Sequence, residues 1–207
     1  KVVTDGEFDD SEVEIKWEWE NYLGFPDSIS VLKRRNFSTN TWSEIARIPA
    51  LDQSYIEVGV PTHLYSYDYK INGFNACKDS VETNIHNTIL LNGFHDEGAK
   101  TIDLSWNRYN DWEQGVLRYE IWRKLDDETD YTFYADAGQD TTIQFGSGKD
   151  GLIHCYRVLA YEKGGYIEQS WSNELCVEFA HLLHIPSVIT PNANGLNDNW
   201  EIENIDK

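Results

Sequence analysis

Apolar and polar positions alternate with a period of two along nearly the whole chain. Val13, Ile15, Trp17 and Trp19 interleave with Glu and Lys, the pattern of a strand with one buried face. The alternation recurs at Ile29-Val31, Ile45-Ile48, Tyr65-Tyr67-Tyr69-Ile71, Ile102-Leu104-Trp106, Tyr119-Ile121, Tyr156-Val158-Ala160 and Leu175-Val177. Turn formers fall between these runs: Gly24, Pro26 and Asp27, then Asn72-Gly73, Asp96 and Gly98, Gly146, Gly148 and Gly151, and Gly164-Gly165. No segment carries the i, i+3, i+4, i+7 stripe of an amphipathic helix. Short strands punctuated by turns predict an all-β, antiparallel sandwich architecture rather than alternating β and α units.

The pattern also repeats. Ile15-x-x-x-Trp19-x-x-Tyr22 matches Ile102-x-x-x-Trp106-x-x-Tyr109 at an offset of 87, and Ile29-x-Val31 matches Tyr119-x-Ile121 at 90. Tyr69-Lys-Ile71 matches Tyr156-Arg-Val158 at 87, and Thr83-Asn84 matches Ser172-Asn173 at 89. A period of this size is about one seven-stranded sandwich. Two tandem seven-stranded immunoglobulin-like sandwiches are expected, at 1–86 and 87–180, and 181–207 is too short to bury a core by itself.

An early-strand Trp, a late Tyr-x-apolar strand and a closing Ser/Thr-Asn in each copy resemble fibronectin type III modules. The resemblance implies that Trp19 and Trp106 fill the space between the sheets, with Tyr69 and Tyr156 on the penultimate strand. All four are then core residues, each worth several kcal/mol by aromatic burial.

Composition narrows the partners. Lys and Arg number 17 against 36 Asp and Glu, a net charge of −19. A chain so acidic lacks the basic footprint that nucleic acid requires, and anionic lipid would repel it. No apolar run approaches the roughly 18 residues that a membrane span needs, so no direct membrane insertion is expected. With Lys rather than Met at position 1, the chain reads as a processed product or part of a longer one.

The three cysteines allow at most one internal bridge. The midpoint between Cys155 and Cys176 falls at Gly164-Gly165-Tyr166, so antiparallel pairing about that turn sets them opposite each other. Either a cross-strand disulfide or two buried thiols satisfies the spacing; an exported chain favours oxidation. Cys77 has no partner left and reads as a spare thiol.

Residues 185–202 read Ile-Pro-Ser-Val-Ile-Thr-Pro-Asn-Ala-Asn-Gly-Leu-Asn-Asp-Asn-Trp-Glu-Ile. This stretch resembles the opening of the gliding-motility-associated C-terminal domain of Bacteroidetes, the type B sorting domain of type IX secretion. Pro186, Thr190, Pro191, Asn192, Gly195, Asn197, Asp198 and Trp200 keep the motif, while Ala193 and Asn194 replace its usual Gly and Asp. Only the first strand of such a truncated β-sandwich domain fits before Lys207. Asn192, Asn194, Asn197 and Asp198 also place oxygen atoms around Gly195 in the manner of a calcium loop. The single carboxylate equally suits Asx turns that fix the loop without a cation. No cofactor is required, and Ca2+ is the one metal to consider.

Enzyme signals are weak. Gly146-Ser-Gly148-Lys149-Asp150-Gly151 has Asp where a phosphate loop needs Ser or Thr for magnesium, and Ile143 where it needs its first Gly. His181 and His184 lack a third ligand nearby. A non-enzymatic chain is expected: the C-terminal region of a secreted, adhesin-like cell-surface protein, exported across the outer membrane with its sandwiches as spacers. The resemblance implies the type IX translocon barrel and its shuttle protein PorV as partners. The alternative is a carbohydrate-binding accessory module of a polysaccharide-degrading enzyme, with Trp112, Trp171 or Tyr166 stacking on a glycan ligand.

Overall fold

A computed structural model describes residues 12–17, 28–35, 41–49, 51–74, 80–96, 99, 101–125, 128–146, 153–164 and 169–178. Every regular element among them is a β-strand. The first group comprises β1 (Glu12–Lys16), β2 (Ser28–Arg35), β3 (Ser43–Pro49), β4 (Ser54–Val58), β5 (Tyr67–Phe74), β6 (Ser80–Glu82) and β7 (His86–Asn87). The second comprises β8 (Leu91–Asp96), β9 (Thr101–Trp106), β10 (Val116–Leu125), β11 (Thr132–Gly138), β12 (Thr142–Gly146), β13 (Ile153–Glu162), β14 (Gln169–Trp171) and β15 (Leu175–Glu178).

In the second group one sheet runs β12-β9-β8 and the other β11-β10-β13-β14, with β15 also on β13. Among the described residues the first group follows the same order with one strand fewer: β1 pairs with β4, and β3-β2-β5-β6 forms the facing sheet with β7 also on β5. All named strands pair antiparallel. Three strands facing four in the order of the second group is the fibronectin type III arrangement, and the fold is all-β as the alternation predicts. Counting β14 and β15 as one interrupted strand, the second group has seven strands.

Each group encloses its own core. Val13, Ile15, Ile29, Val31, Tyr69 and Ile71 anchor the first; Ile102, Leu104, Tyr119, Ile121, Tyr156 and Val158 anchor the second. These are the alternate positions of the pattern, so one face of each strand is buried by pleat geometry alone. Register fixes the equivalences between copies. Val31 sits opposite Ile71 as Ile121 sits opposite Val158, and Lys33 opposite Tyr69 as Arg123 opposite Tyr156.

One expected equivalence is corrected. The residue that occupies Trp106's place is Trp17, an offset of 89 rather than 87. Both follow the inward row of their strand, both are nearly fully buried, and each backbone N–H bonds a carbonyl just before the neighbouring strand of the same sheet: Trp17 to Gln53 and Trp106 to Thr141, both at 3.0 Å. Neither indole N–H has an acceptor among the described residues. Trp19 lies outside the described residues.

The Thr83-Asn84 and Ser172-Asn173 pairs are also more than hairpin closures. Leu159 pairs with Trp171, yet four residues back along β13 Cys155 pairs with Cys176 of β15, five residues on from Trp171, a slip of one residue at 172–173. The first copy slips identically between β6 and β7. Such a bulge leaves a ladder position unpaired, and the hydroxyl fills it. Ile71 N–H donates to Thr83 Oγ1 at 2.9 Å and Val158 N–H to Ser172 Oγ at 2.8 Å.

Candidate functional site

Among the described residues, specific polar contacts concentrate at the junction between the cores and at the corner around the disulfide.

At the junction, β7 ends at Asn87 and β8 begins at Leu91, so three residues connect two sandwiches. None of the three is idle. Thr88 N–H donates to Tyr67 O and Tyr67 N–H donates back to Thr88 Oγ1, both at 2.9 Å. The Thr88 carbonyl accepts from Ser66 Oγ at 2.8 Å and from Asn107 Nδ2 at 3.0 Å. Ile89 is buried in the second core and makes a parallel bridge to Ser172. Leu90 N–H donates to Asn107 Oδ1 at 2.6 Å.

The strand before the connection reaches across as well. Asn87 pairs with Asp68 in β5 through its backbone, while its side chain donates to Arg108 O at 2.9 Å and accepts from Asn110 N–H at 2.7 Å. His86, almost wholly buried, lies 3.2 Å through Nδ1 from the Tyr109 hydroxyl. The Tyr109 ring in turn lies 4.1 Å from that of Trp112. The 107–115 loop is shaped for this by Asp111 at φ 67 and Gly115 at φ 77; Asp is among the few L-residues that tolerate the left-handed region. A connection in which Thr88 is bonded through its N–H, hydroxyl and carbonyl, Ile89 is buried and Leu90 N–H is bonded behaves as packed structure and not as a flexible tether.

At the corner, Cys155 and Cys176 stand directly opposite in β13 and β15 and form a disulfide, with Cα atoms 4.0 Å apart. The bridge closes the strand just past the Ser172-Asn173 bulge. Glu174 lies beside it, one carboxylate oxygen 3.5 Å from Cys176 Sγ. Its other oxygen accepts from the Tyr131 hydroxyl and from Lys124 Nζ at 3.4 Å. Burial works against ionisation of Glu174, but the Tyr131 hydrogen bond and the charges of Lys124 and Arg157 prevail and hold its carboxyl below the usual range. Burial, reinforced by the anion of Glu174, pushes the Tyr131 hydroxyl well up. Cys155, Glu174 and Cys176 form the one cluster of metal-type ligands among the described residues. Both sulfurs are spent on the disulfide, which leaves a cation only the Glu174 carboxylate.

A third polar feature was invisible in the sequence. Glu57 points into the first core, accepting from Tyr69 Oη at 2.8 Å and from Lys33 Nζ at 2.7 Å. In the second copy the equivalent residue is Phe145, stacked on Tyr156 with rings 6.5 Å apart and 6° from parallel. Alternation shows that position 57 faces inward; it cannot show that Lys33 and Tyr69 converge there to make an ion tolerable.

The expected site residues divide cleanly. Tyr69, Tyr156 and Trp106 lie in the cores, and Cys155 is joined to Cys176. Pro186, Thr190, Pro191, Asn192, Asn194, Gly195, Asn197, Asp198 and Trp200 lie outside the described residues, as do Cys77 and Tyr166. Trp112, expected on a loop to stack on sugar, is instead 4% exposed and packed on Tyr109. Burial removes it from any glycan site. Trp171 is half-buried and packs edge-on against Trp122 at 5.6 Å.

No protein-family model matches the chain, and no curated protein matches it. Among solved structures it is similar to the chicken CNTN1 FN1–FN3 domains, at 15% identity and a TM-score of 0.34, covering 86% of this chain. The chain spans 62% of the length of that structure.

Proposed function

We propose that this chain is the C-terminal region of a secreted, adhesin-like cell-surface protein. In this reading its last residues open a type B sorting domain that delivers the protein through the type IX system. The observation that carries the reading is the run from Pro186 to Trp200, which keeps the sorting motif at eight positions and follows two sandwiches in tandem. The committed junction supports a spacer role, because a stalk that projects a passenger must not fold back on itself. The disulfide fits an oxidising, extracytoplasmic compartment. Partners on this reading are the translocon barrel and PorV, engaged by backbone pairing along a sheet edge. The sandwiches themselves are non-catalytic and need no cofactor; Ca2+ is reserved for the loop from Asn192 to Asp198.

The test is export. The chain, extended through its complete sorting domain, is fused to a reporter with a signal peptide in a type IX-competent host. Surface display is expected, with periplasmic retention once everything after Ile185 is deleted. Display that survives the deletion sinks the reading.

A further inference from the structure

The outer face of the β12-β9-β8 sheet carries an ordered polar grid. Register aligns Asn92, Ser105 and Thr142 in one rung across three strands, and Phe94, Asp103 and Gln144 in the next. Strands about 4.8 Å apart and rungs roughly 7 Å apart give a patch the size of a disaccharide. The six residues line a shallow open cavity of about 570 Å³. Phe94 stands at its rim with 67% of its surface exposed.

The chemistry of the grid separates it from the rest of the second sandwich. On the opposite sheet the outward polar groups are spent on one another: Arg118 on Glu120 at 2.7 Å and Lys124 on Glu174 at 3.4 Å. On the grid, Gln144 Nε2 donates to Asp103 Oδ1 at 2.7 Å, which fixes the amide and the carboxylate in one orientation. Their remaining oxygens stay uncommitted among the described residues, as do the side chains of Asn92, Ser105 and Thr142. An exposed phenyl beside a preoriented set of donors and acceptors is how a protein holds an amphiphilic ring.

Elimination narrows the class. The grid has no Lys or Arg, carries Asp103 and belongs to a chain of net charge −19, so an anionic ligand is repelled. A single carboxylate, already tied to Gln144, is too few hard ligands for a divalent cation. Five hydrogen-bonding side chains in six exclude a purely apolar guest. We infer that this face binds a neutral saccharide, with a pyranose C–H face on Phe94 and hydroxyls on Asp103, Gln144 and Asn92. The inference is independent of the export reading; either can fail without the other.

The test titrates the 1–207 chain, observed by amide NMR, with neutral hexasaccharides (cello-, malto-, laminari-, xylo- and manno-hexaose) and an anionic alginate hexamer. At least one neutral sugar is expected to shift resonances clustered at 92–94, 103–105 and 142–144. Phe94→Ala and Gln144→Ala then weaken binding by about tenfold or more, while Phe133→Ala, on the opposite sheet, leaves it unchanged. Phe94 is exposed, so an unaltered melting temperature separates lost binding from lost fold. Silence from every neutral sugar at millimolar concentration overturns the proposal. So does tighter binding of alginate, or a binding shift indifferent to Phe94→Ala, as capture of a peptide along the β12 edge would give.

Discussion

Asn173 and Leu91 bind each other as two strands would, although one partner is a side chain. Leu91 N–H donates to Asn173 Oδ1 at 2.7 Å and Asn173 Nδ2 donates to Leu91 O at 3.1 Å. The pair ties the first strand of one sheet to the bulge of the facing sheet, and both residues are buried. The bulge makes this bond available: Ser172 Oγ replaces the missing ladder acceptor, which frees Asn173 to turn across the sandwich.

Asn173→Ala removes both bonds and leaves a buried N–H and C=O unpaired. The expected loss is about 2–4 kcal/mol, read from denaturant midpoints. Asn173→Asp keeps the acceptor for Leu91 N–H but loses the donor, and should fall between Ala and wild type above pH 6. An Ala variant as stable as wild type would show that the tether is ornamental.

Gly93 is small because the sheets meet there. A Cβ at this position would stand 2.5 Å from Leu175 Cδ2 and 2.9 Å from Leu104 Cδ2. Gly93→Ala is expected to cost about 1–3 kcal/mol by overpacking. Pairing it with Leu175→Ala should recover part of that loss in a double-mutant cycle.

Reduction of Cys155–Cys176, which lie 21 positions apart in sequence, should cost about 3 kcal/mol by loop entropy. The fold should nonetheless persist. Leu175 still packs on the core, and the β13–β15 register and the Asn173 tether do not depend on sulfur. Melting with and without reductant measures the loss, and an amide spectrum of the reduced chain that stays dispersed confirms retention of β15.

Alkaline pH should unfold the protein through its tyrosines. Burial, then Glu57, raises the Tyr69 hydroxyl well above its ordinary value near 10. Burial likewise raises Tyr119, against the hydrogen bond from Tyr109 N–H, and Tyr131 follows them. For a raised group the stabilisation is fully present below the unfolded pKa and is lost as pH climbs above about 10. Spectrophotometric titration should show a subset of phenols ionising only together with loss of β-sheet signal. Glu174 runs the opposite way: its lowered pKa contributes stability above the ordinary carboxylate range, lost as pH falls through the folded value. Glu174→Gln should therefore flatten the acid limb.

The junction predicts a mechanical separation of effects. Asn87→Ala with Asn107→Ala removes side-chain bonds between the sandwiches but leaves both cores intact. Each core should melt within about 1 kcal/mol of wild type, while NMR relaxation shows the two units tumbling with separate correlation times. Unchanged joint tumbling would locate the rigidity in Thr88 and Ile89 instead.

Much of this was legible in the chain. Alternation at Ile102, Leu104 and Trp106 specifies a half-buried strand, because pleat geometry depends only on residue parity. The repeat gives the equivalence of Tyr69 with Tyr156, and turn symmetry brings Cys155 to Cys176. Trp17 and Trp19 share parity and residue type, so the local pattern matches either of them to Trp106, and only the pairing of Trp17 N–H with Gln53 O decides between them. The burial of Trp112 is not legible in the chain, because loop sequence carries no record of what folds over it.

Sequence alone therefore determined which face of each strand is apolar and how many cores those faces can build, since both follow from the order of side chains along an extended backbone. Tertiary structure alone decided the single-residue slip at Ser172-Asn173, the tether to Leu91, the charge of Glu57 inside a core, the commitment of Thr88 at the junction, and the uncommitted grid around Phe94. Each of these depends on residues distant in the chain arriving within hydrogen-bonding reach of one another, and no local periodicity encodes that distance.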